Sequence, residues 1–383
     1  MAYSKESINE MLDRVVRKID IGEEMFQAAN KEYTDMGKWL DAQSEQYTVT
    51  IYPQGSFALG TVIKPISDKD DYDLDLVCEF EQQYGLTARQ LKWDVVRPWL
   101  VNYRKLTGEL ENKKRCWHVE YEELPSFHMD IIPAFKNCVG VCITDHDEEN
   151  DVYTYIGSNP QGYADWFFSR SEEQWRLLYE QYRVQSGIIQ ASADVEKLDR
   201  FKVKTTLQKA VQLLKRHRDI MFKNNPKQKP VSIIITTLAA QLFNGEDNVL
   251  DTISHILANA EEYIKGNVVN GDYFIKNPSY PAENFADKWN EHPERAEIFF
   301  RWLHQAQADF SSERFISMDK IGMGTDIKRV FGENIGKTII AEMAEEDRNA
   351  IKAGSMKIAT ATGAISKKGT MAIPPNRHYH GEP

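Results

Sequence analysis

Two aspartates interrupt an apolar run in DLDLV, residues 73–77. On a β-strand, residues two apart project from the same face, so Asp73 and Asp75 project together while Leu74 and Leu76 enter a core. Two adjacent carboxylates repel each other unless a positive group lies between them. The pattern therefore predicts a strand that presents two acids to a divalent metal ion, although a solvated strand edge is the alternative for this motif alone.

A third aspartate, Asp130, lies between apolar residues in FHMDIIP, residues 127–133. If its strand pairs beside the first, three carboxylates converge on one patch. Hard oxygen ligands favour Mg²⁺ or Mn²⁺, and two such ions about 4 Å apart can clamp a phosphoryl or nucleotidyl transfer. We therefore predict a two-metal site in which Asp73, Asp75 and Asp130 are metal ligands and catalytic residues. A buried, hydrogen-bonded carboxylate is the alternative for Asp130.

A Gly-Ser pair, Gly55 and Ser56, precedes the acids. Glycine permits a close backbone approach or a positive φ, and Ser56 would supply a hydroxyl at a helix start, where free N–H groups attract phosphate. We predict that the pair grips the β- and γ-phosphates of a nucleotide. An ordinary turn would explain the pair alone, but not its order with the flanked acids.

Three further acids, Asp68, Asp70 and Asp71, are predicted to lie in a solvated loop before the strand. Asp71 would share the face of Asp73 and Asp75, so the register stays open at this point.

The elements that position these residues change in character along the chain. Alternation predicts strands in residues 46–160, a lobe of α/β (α+β) class that carries the acids and would be the catalytic lobe. Helical periodicity predicts an N-terminal bracing helix in residues 1–45 and a helical C-lobe in residues 161–345, followed by a mobile tail, 346–383. The run SIIITTLAAQL, residues 232–242, has strand-like composition, but its helical neighbourhood favours a helix.

The formal net charge of −11 disfavours a long nucleic-acid duplex as partner, because such binding needs a basic face. Small anions such as nucleoside triphosphates remain compatible with it. The chain has no apolar run of membrane-spanning length and begins without a signal-peptide pattern. We predict a soluble cytoplasmic protein with no membrane partner.

The ordered motif PQGSFALGT…DYDLDLV…HMDIIPA resembles the DNA polymerase β-like nucleotidyltransferase superfamily. Within it, the motif resembles the bacterial CD-NTases, relatives of cyclic GMP-AMP synthase and oligoadenylate synthase, and similar segments continue to roughly residue 335. The resemblance implies a polymerase β-like N-lobe with a mixed sheet, a helical C-lobe like that of oligoadenylate synthase, and a central cleft. It implies Mg²⁺-dependent joining of ATP, GTP or other triphosphates into cyclic di- or trinucleotides, with pyrophosphate release. Such products are second messengers in CBASS anti-phage defence.

The resemblance also implies roles for single residues. Gly55 and Ser56 match the phosphate-gripping turn, and Asp73, Asp75 and Asp130 match the metal triad.

Three further residues each match a functional position of the family, and each also has a simpler structural interpretation. Lys215 matches a basic residue near the donor triphosphate. The alternative interpretation is a solvated lysine, and Arg216 and Arg218 are alternatives for the same role. Ser232 matches a serine that approaches the phosphates, against an N-cap serine. Asn159 matches an asparagine that touches a base edge, against a plain turn residue.

The chain lacks the zinc ribbon of the animal enzyme, which again disfavours activation by long DNA. Its end, NRHYHGEP, resembles tails that an E1/E2-like CBASS partner conjugates, although a disordered end is the alternative. A linear oligonucleotide synthase, an RNA or protein nucleotidyltransferase of the same fold, and a non-catalytic nucleotide-binding module remain alternative functions.

Overall fold

The computed structural model describes residues 5–67, 72–103, 106–121, 127–186, 201–311, 313–314, 320–355, 357–359, 364–366 and 371–372. The chain divides into two compact units, residues 19–307 and residues 1–18 with 308–383. Two predicted features lie outside the described residues: the loop acids Asp68, Asp70 and Asp71, and the chain end NRHYHGEP.

A seven-stranded sheet lies in the unit of residues 19–307. Its strands are β1 Val49–Gln54, β2 Tyr72–Phe80, β3 Leu106–Asn112, β4 Trp117–Tyr121, β5 Phe127–Lys136, β6 Val141–Asp147 and β7 Val152–Ser158. The order is β1-β2-β5-β4-β3, and β6 pairs with both β5 and β7. Strands β2 and β5 run parallel, whereas the other pairs are antiparallel. The prediction of a mixed sheet is confirmed.

The two central strands are long because both carry apolar residues on the face away from the acids. Leu74 and Leu76 of β2 and Met129 and Ile131 of β5 are buried and join one core cluster. The cluster includes Phe26 and other residues of the second helix at helical spacing. Packing on one face therefore leaves the polar positions of β2 and β5 together on the other.

Helices account for most of the remaining described chain. They are α1 Lys5–Ile19, α2 Glu23–Gln43, α3 Gly55–Ala58, α4 Arg97–Val101, α5 Pro160–Ser169, α6 Glu172–Ser186, α7 Thr206–Met221, α8 Ser232–Leu242, α9 Val249–Gly266, α10 Asp287–Glu291, α11 Pro293–Asp309, α12 Lys320–Phe331 and α13 Glu333–Lys352. A π-helical segment, Gln90–Val96, leads into α4, and a 3₁₀ turn, Pro226–Gln228, precedes α8. The helix prediction for residues 232–242 is confirmed.

Short strands complete the described structure. They are β8 Val268–Val269, β9 Asp272–Tyr273, β10 Lys276–Asn277, β11 Tyr280–Asn284, β12 Lys357–Ala359, β13 Ala364–Ser366 and β14 Met371–Ala372. None of the described helices is long and apolar enough to cross a lipid bilayer.

The unit of residues 1–18 and 308–383 joins the two ends of the chain. Arg14 bonds Glu346 through both guanidinium nitrogens at 2.7 Å, and Lys18 pairs with Glu342 at 2.5 Å. These pairs connect α1 to α13, which extends to Lys352. No local pattern could indicate a grouping that joins residues more than 300 positions apart. The four-segment division of the chain stays a prediction.

Candidate active site

The three predicted acids lie on one face of the sheet. In the parallel pair, Asp75 of β2 stands opposite Asp130 of β5, and Asp73 stands opposite His128. Register partners on neighbouring strands point to the same side, as do residues two apart on one strand. The surface formed by Asp73, Asp75 and Asp130 is called the acid face below. The predicted pairing of these two strands is confirmed.

Electrostatic repulsion is concentrated on the middle acid. Burial raises the pKa of Asp75 to about 7, and the nearby carboxylates of Asp73 and Asp130 raise it in the same direction. A group in this position favours a proton or another cation beside it. The acid face is therefore electrostatically suited to bind a positive ion.

Two histidines, which sequence reasoning missed, bond the outer acids. His118 Nδ1 lies 2.7 Å from Asp130 Oδ1, and His128 Nε2 bonds Asp73 Oδ1. The centroids of the two imidazole rings are 4.3 Å apart. His128 lies two residues before Asp130, on the same strand face, so the spacing carried a signal for it. His118 comes from β4, where it stands opposite Asp130.

The donor set of the acid face fits a hard divalent cation in its chemistry. It offers carboxylate oxygens from adjacent strand positions, the ligands that Mg²⁺ and Mn²⁺ prefer. In the described ranges, no three His, Cys, Asp or Glu groups are gathered closely enough to hold an ion as they stand. Two of the acids bond histidines instead. Each of these bonds uses only Oδ1, so Oδ2 of Asp73 and Oδ2 of Asp130 remain available as ligand atoms.

The Gly-Ser turn packs directly against the acid face. Gly55 has φ +63°, and a Cβ built there would lie 2.3 Å from Asp75 Oδ2. Both the backbone conformation and the close approach therefore require glycine. Gly55 and Ser56 begin the one-turn helix α3, which buried Phe57 anchors by stacking on Phe26 at 5.1 Å.

Helix α7 clamps the segment that follows this turn. Three of its polar side chains donate hydrogen bonds to backbone carbonyls within residues 59–62. The bonds run from Gln208 Nε2 to Leu59 O at 3.0 Å, from Lys215 Nζ to Thr61 O at 2.9 Å and from Gln212 Nε2 to Val62 O at 2.7 Å. The spacing of the three donors places them on one helix face. The clamp therefore fixes the turn relative to α7.

Lys215 is not the solvated lysine of the alternative interpretation, because only 5% of it is exposed. The pKa of Lys215 is lowered to about 7, mainly by burial and also by the nearby charge of Arg218. Arg216 is buried as well and bonds the Lys64 carbonyl. Arg218 donates to Ser232 Oγ at 2.6 Å and to Asp219.

Ser232 and Asn159 lie in different surroundings. Ser232 is the first residue of α8, with Val231 at the N-cap, so the N-cap alternative for Ser232 is wrong. Asn159 is the N-cap of α5: its Oδ1 accepts from the Gly162 N–H at 3.0 Å, and its Nδ2 donates to Ser279 O at 3.3 Å. The structure thus gives Asn159 a capping role, while its base contact stays a prediction.

A cavity of about 950 Å³ gathers most of the predicted residues. Its lining includes Gly55, Ser56, Asp73, Asp75, Lys215 and Ser232. Asp130 lies one strand away from this lining, opposite Asp75, and Asn159 lies beside Ser158 and Pro160, which do line it.

The lining is richer in cations than the chain as a whole. It contains Lys64, Arg115, Lys215, Arg218, Lys223 and Lys229 against the acids Asp73, Asp75, Asp219 and Glu283. Most of these residues were missed, because they come from segments far apart in the sequence. A concave wall with excess positive charge concentrates polyanions such as triphosphates, despite a net charge of −11.

Comparison with known proteins gives matches in the same region and beyond it. Residues 49–135 match the family model for the nucleotidyltransferase domain of DncV-like cyclic GMP-AMP synthases. A protein of Roseivirga ehrenbergii named c-di-GMP synthase is 30% identical over 346 residues, covering 86% of each chain. The cyclic dinucleotide synthase CdnG of Bradyrhizobium diazoefficiens is 26% identical over 265 residues, 66% of this chain and 62% of the relative.

The solved structure of that CdnG, described as a CD-NTase in complex with GTP, has the same fold. It superposes with a TM-score of 0.70 at 21% identity, over 88% of this chain and 99% of the other. The sheet and the helices around the cavity therefore share their fold with a solved protein that has GTP bound.

Proposed function

The chain belongs to the bacterial CD-NTases, the DncV-like nucleotidyltransferases, and from this membership we propose that it joins nucleoside triphosphates into a cyclic dinucleotide with release of pyrophosphate. The observation that carries the proposal is the acid face, packed against the Gly-Ser turn at the wall of a cationic cavity. The name of the Roseivirga relative, a c-di-GMP synthase, and the GTP bound in the CdnG structure support GTP as one of the substrates.

We assign the residues of the acid face to the metal. Asp73, Asp75 and Asp130 would hold Mg²⁺ or Mn²⁺, which when bound supplies charge neutralisation of the triphosphate and activation of the attacking hydroxyl. His118 and His128 bond the outer carboxylates and would orient them toward the ion.

The phosphate-binding roles fall to the turn and to α7. Ser56 would donate its hydroxyl to a phosphate oxygen, and Gly55 lets the backbone lie against Asp75 without a clash. A polyanion in the cavity favours the charged form of Lys215, whose pKa lies at about 7 without it. Ser232, fixed by Arg218, would approach the same phosphates.

Cyclisation in one cavity requires two rounds of transfer. In the first, the hydroxyl of an acceptor nucleotide attacks the α-phosphate of the donor, and pyrophosphate leaves. The linear product must then turn so that its own triphosphate becomes the donor. One acid face serves both rounds, and the cationic cavity of about 950 Å³ beside it would hold both nucleotides.

Labelled triphosphates test the proposal. Purified protein with Mg²⁺ and all four α-³²P-labelled triphosphates should give a product that resists phosphatase and lacks a terminal phosphate by mass spectrometry. Asp73→Asn should abolish this product, whereas Asp272→Asn, an exposed aspartate on the β8–β9 hairpin, should leave it unchanged.

Each alternative has its own outcome. A linear synthase gives a phosphatase-sensitive product, and a nucleotide-binding module binds triphosphate without pyrophosphate release. Full activity in Asp73→Asn would refute the proposed roles of the acid face.

We further propose that the product acts as a messenger in a CBASS system and that the protein works in the cytoplasm, where its triphosphate substrates are made. The family resemblance of the motifs supports this role. Conjugation of the chain end by a CBASS partner stays a prediction, as does the absence of a long-DNA partner.

A further inference from the structure

A short hairpin brings one unassigned carboxylate to the cavity wall. Strands β10 and β11 pair with each other, and Glu283 near the end of β11 lines the cavity. The metal and phosphate roles proposed above do not include it, because it lies on the hairpin rather than on the acid face and a carboxylate repels phosphate oxygens. Its chemistry has to be explained by another part of the substrate.

The side chain of Glu283 is held by two donors on the same oxygen. Its Oε2 accepts from Ser158 Oγ at 3.0 Å and from Asn277 Nδ2 at 2.7 Å. Asn277 is buried, and its Oδ1 accepts the Ser279 N–H at 2.9 Å, which fixes its amide with the nitrogen toward Glu283. In the part of the chain that the structure describes, Oε1 accepts no hydrogen bond from the protein.

The hairpin that carries Glu283 is fastened to the sheet. Asn159 Nδ2 donates to Ser279 O at 3.3 Å, and Ser279 Oγ lies 3.1 Å from Asn159 O. At Gly157 of β7, a Cβ would lie 2.1 Å from Tyr280 Oη, so the hairpin packs closely on this strand. Glu283 is therefore presented from a rigid platform rather than from a loose loop.

An anchored carboxylate selects among nucleobases by their hydrogen-bond edges. A carboxylate only accepts hydrogen bonds, and guanine offers it two adjacent donors, N1–H and the N2 amino group. Adenine, cytosine and uracil each place an acceptor beside their donor, which an anion repels. Phe285, two residues further along, also lines the cavity and meets Tyr163 edge-on at 5.8 Å, so an apolar ring lies near the carboxylate.

We propose that Glu283 is the residue that selects guanosine triphosphate, by accepting hydrogen bonds from the Watson–Crick edge of guanine. This inference rests on the proposed function and names the base that one of its substrate positions takes. Ser158 and Asn277 are positioning residues, since both donate to Oε2 of Glu283 and thereby direct its other oxygen, Oε1.

Inosine triphosphate tests this proposal on the unaltered protein. Inosine keeps N1–H but lacks the N2 amino group, so the protein should use GTP about 10–100-fold better than ITP in kcat/KM. Equal use of GTP and ITP by the unaltered protein would overturn the proposal without any question of misfolding.

Glu283→Gln is the matched variant. Ser158 and Asn277 should capture its amide oxygen, which turns the NH₂ group toward the cavity and replaces an acceptor by a donor. We expect kcat/KM for GTP to fall roughly 100-fold and the preference for GTP over ITP to disappear. Glu291→Gln, which changes an exposed glutamate paired with Lys288, should retain both values. An unchanged preference in a folded Glu283→Gln protein would refute the assignment.

Binding separates this inference from the proposed function. Calorimetry with the non-reactive α,β-methylene analogues of GTP and ITP should show the same preference in the unaltered protein and its loss in Glu283→Gln. If no triphosphate yields a cyclic product, the proposed function fails, and this binding preference alone then supports or overturns the role of Glu283.

Discussion

Asp75 and Lys215 line the same cavity, and burial moves the pKa of each to about 7 from opposite directions. The chain builds their surroundings differently. Asp75 lies on the acid face, where neighbouring carboxylates repel it and strand alternation sets its direction. Lys215 lies on a helix and bonds a backbone carbonyl 154 residues earlier. Local strand alternation is therefore enough to place the mutually repelling carboxylates around Asp75. The burial of Lys215, in contrast, depends on a backbone segment that is far away in the sequence.

Neutralising Asp75 should give the largest effect. We expect Asp75→Asn to lower activity by about 1000-fold or more, because a metal ligand is lost. The same change should raise the thermal midpoint of the metal-free protein at pH 8, because it removes repulsion with Asp73 and Asp130. Added Mg²⁺ should stabilise the unaltered protein but not the variant. A lower midpoint for a folded Asp75→Asn would contradict the account of a repulsive acid face.

Adding one methyl group at Gly55 should come next. Gly55→Ala would place a Cβ 2.3 Å from Asp75 Oδ2 at a positive φ, so we expect activity to fall about 100-fold as the turn shifts from the acid face. Gly271→Ala is the control, since it has a positive φ but open space around it. Its cost should be limited to strain of about 1 kcal/mol in unfolding measurements. Equal activity in the two variants would show that the close approach is unimportant.

The buried cation should show itself in the pH dependence of stability. The pKa of Lys215 is lowered from 10.5 to about 7 in the folded protein, so the unfolded chain binds more protons between these values. Its contribution to the free energy of unfolding therefore rises with pH across that window, by on the order of 1 kcal/mol per pH unit. Lys215→Met should be more stable than the unaltered protein at pH 7, and this advantage should shrink by pH 9.5 in urea titrations.

The same variant should weaken substrate binding. We expect the KM for triphosphate to rise about 10-fold at pH 7, because a cation near the phosphates is lost. Lys265→Met, at an exposed lysine that pairs with Glu261 on α9, is the control and should change neither quantity. Parallel pH profiles for Lys215→Met and the unaltered protein would contradict the burial of a charged Lys215.

Removing one bond of the clamp should have the smallest effect on activity. Gln212→Leu leaves the Val62 carbonyl without its donor and removes a bond to Asp20. We expect a loss of about 1–3 kcal/mol in the free energy of unfolding and a change of only a few-fold in kcat/KM, because Gln208 and Lys215 still hold the segment. Gln181→Leu, at an exposed position of α6, should cost little. A larger activity loss than in Gly55→Ala would reverse the proposed order of importance.

Local sequence patterns predicted the strands of the acid face and the Gly-Ser turn. Period-two alternation was enough to place Asp73, Asp75 and Asp130 on strands, and the spacing of Gly55 and Ser56 was enough to indicate the turn. The structure then brings both features together through the parallel register. For α8, whose composition is strand-like, the helical neighbourhood was sufficient to predict a helix.

The remaining residues depend on contacts that no local pattern contains. The carbonyl partner of Lys215 and one partner of Glu283, Ser158, lie more than 100 residues away in the sequence. His128 is the exception, because its position two residues before Asp130 placed it on the acid face. A histidine two residues from an aspartate on a strand lies on the same face, so this spacing indicates a neighbour of the acid.

Crystals soaked with Mn²⁺ and the α,β-methylene analogue of GTP give the most direct test of the central claim. The account predicts anomalous density within about 2.2 Å of carboxylate oxygens from Asp73, Asp75 and Asp130 together, in contact with the triphosphate. Manganese bound elsewhere, beside an ordered triphosphate, would contradict it.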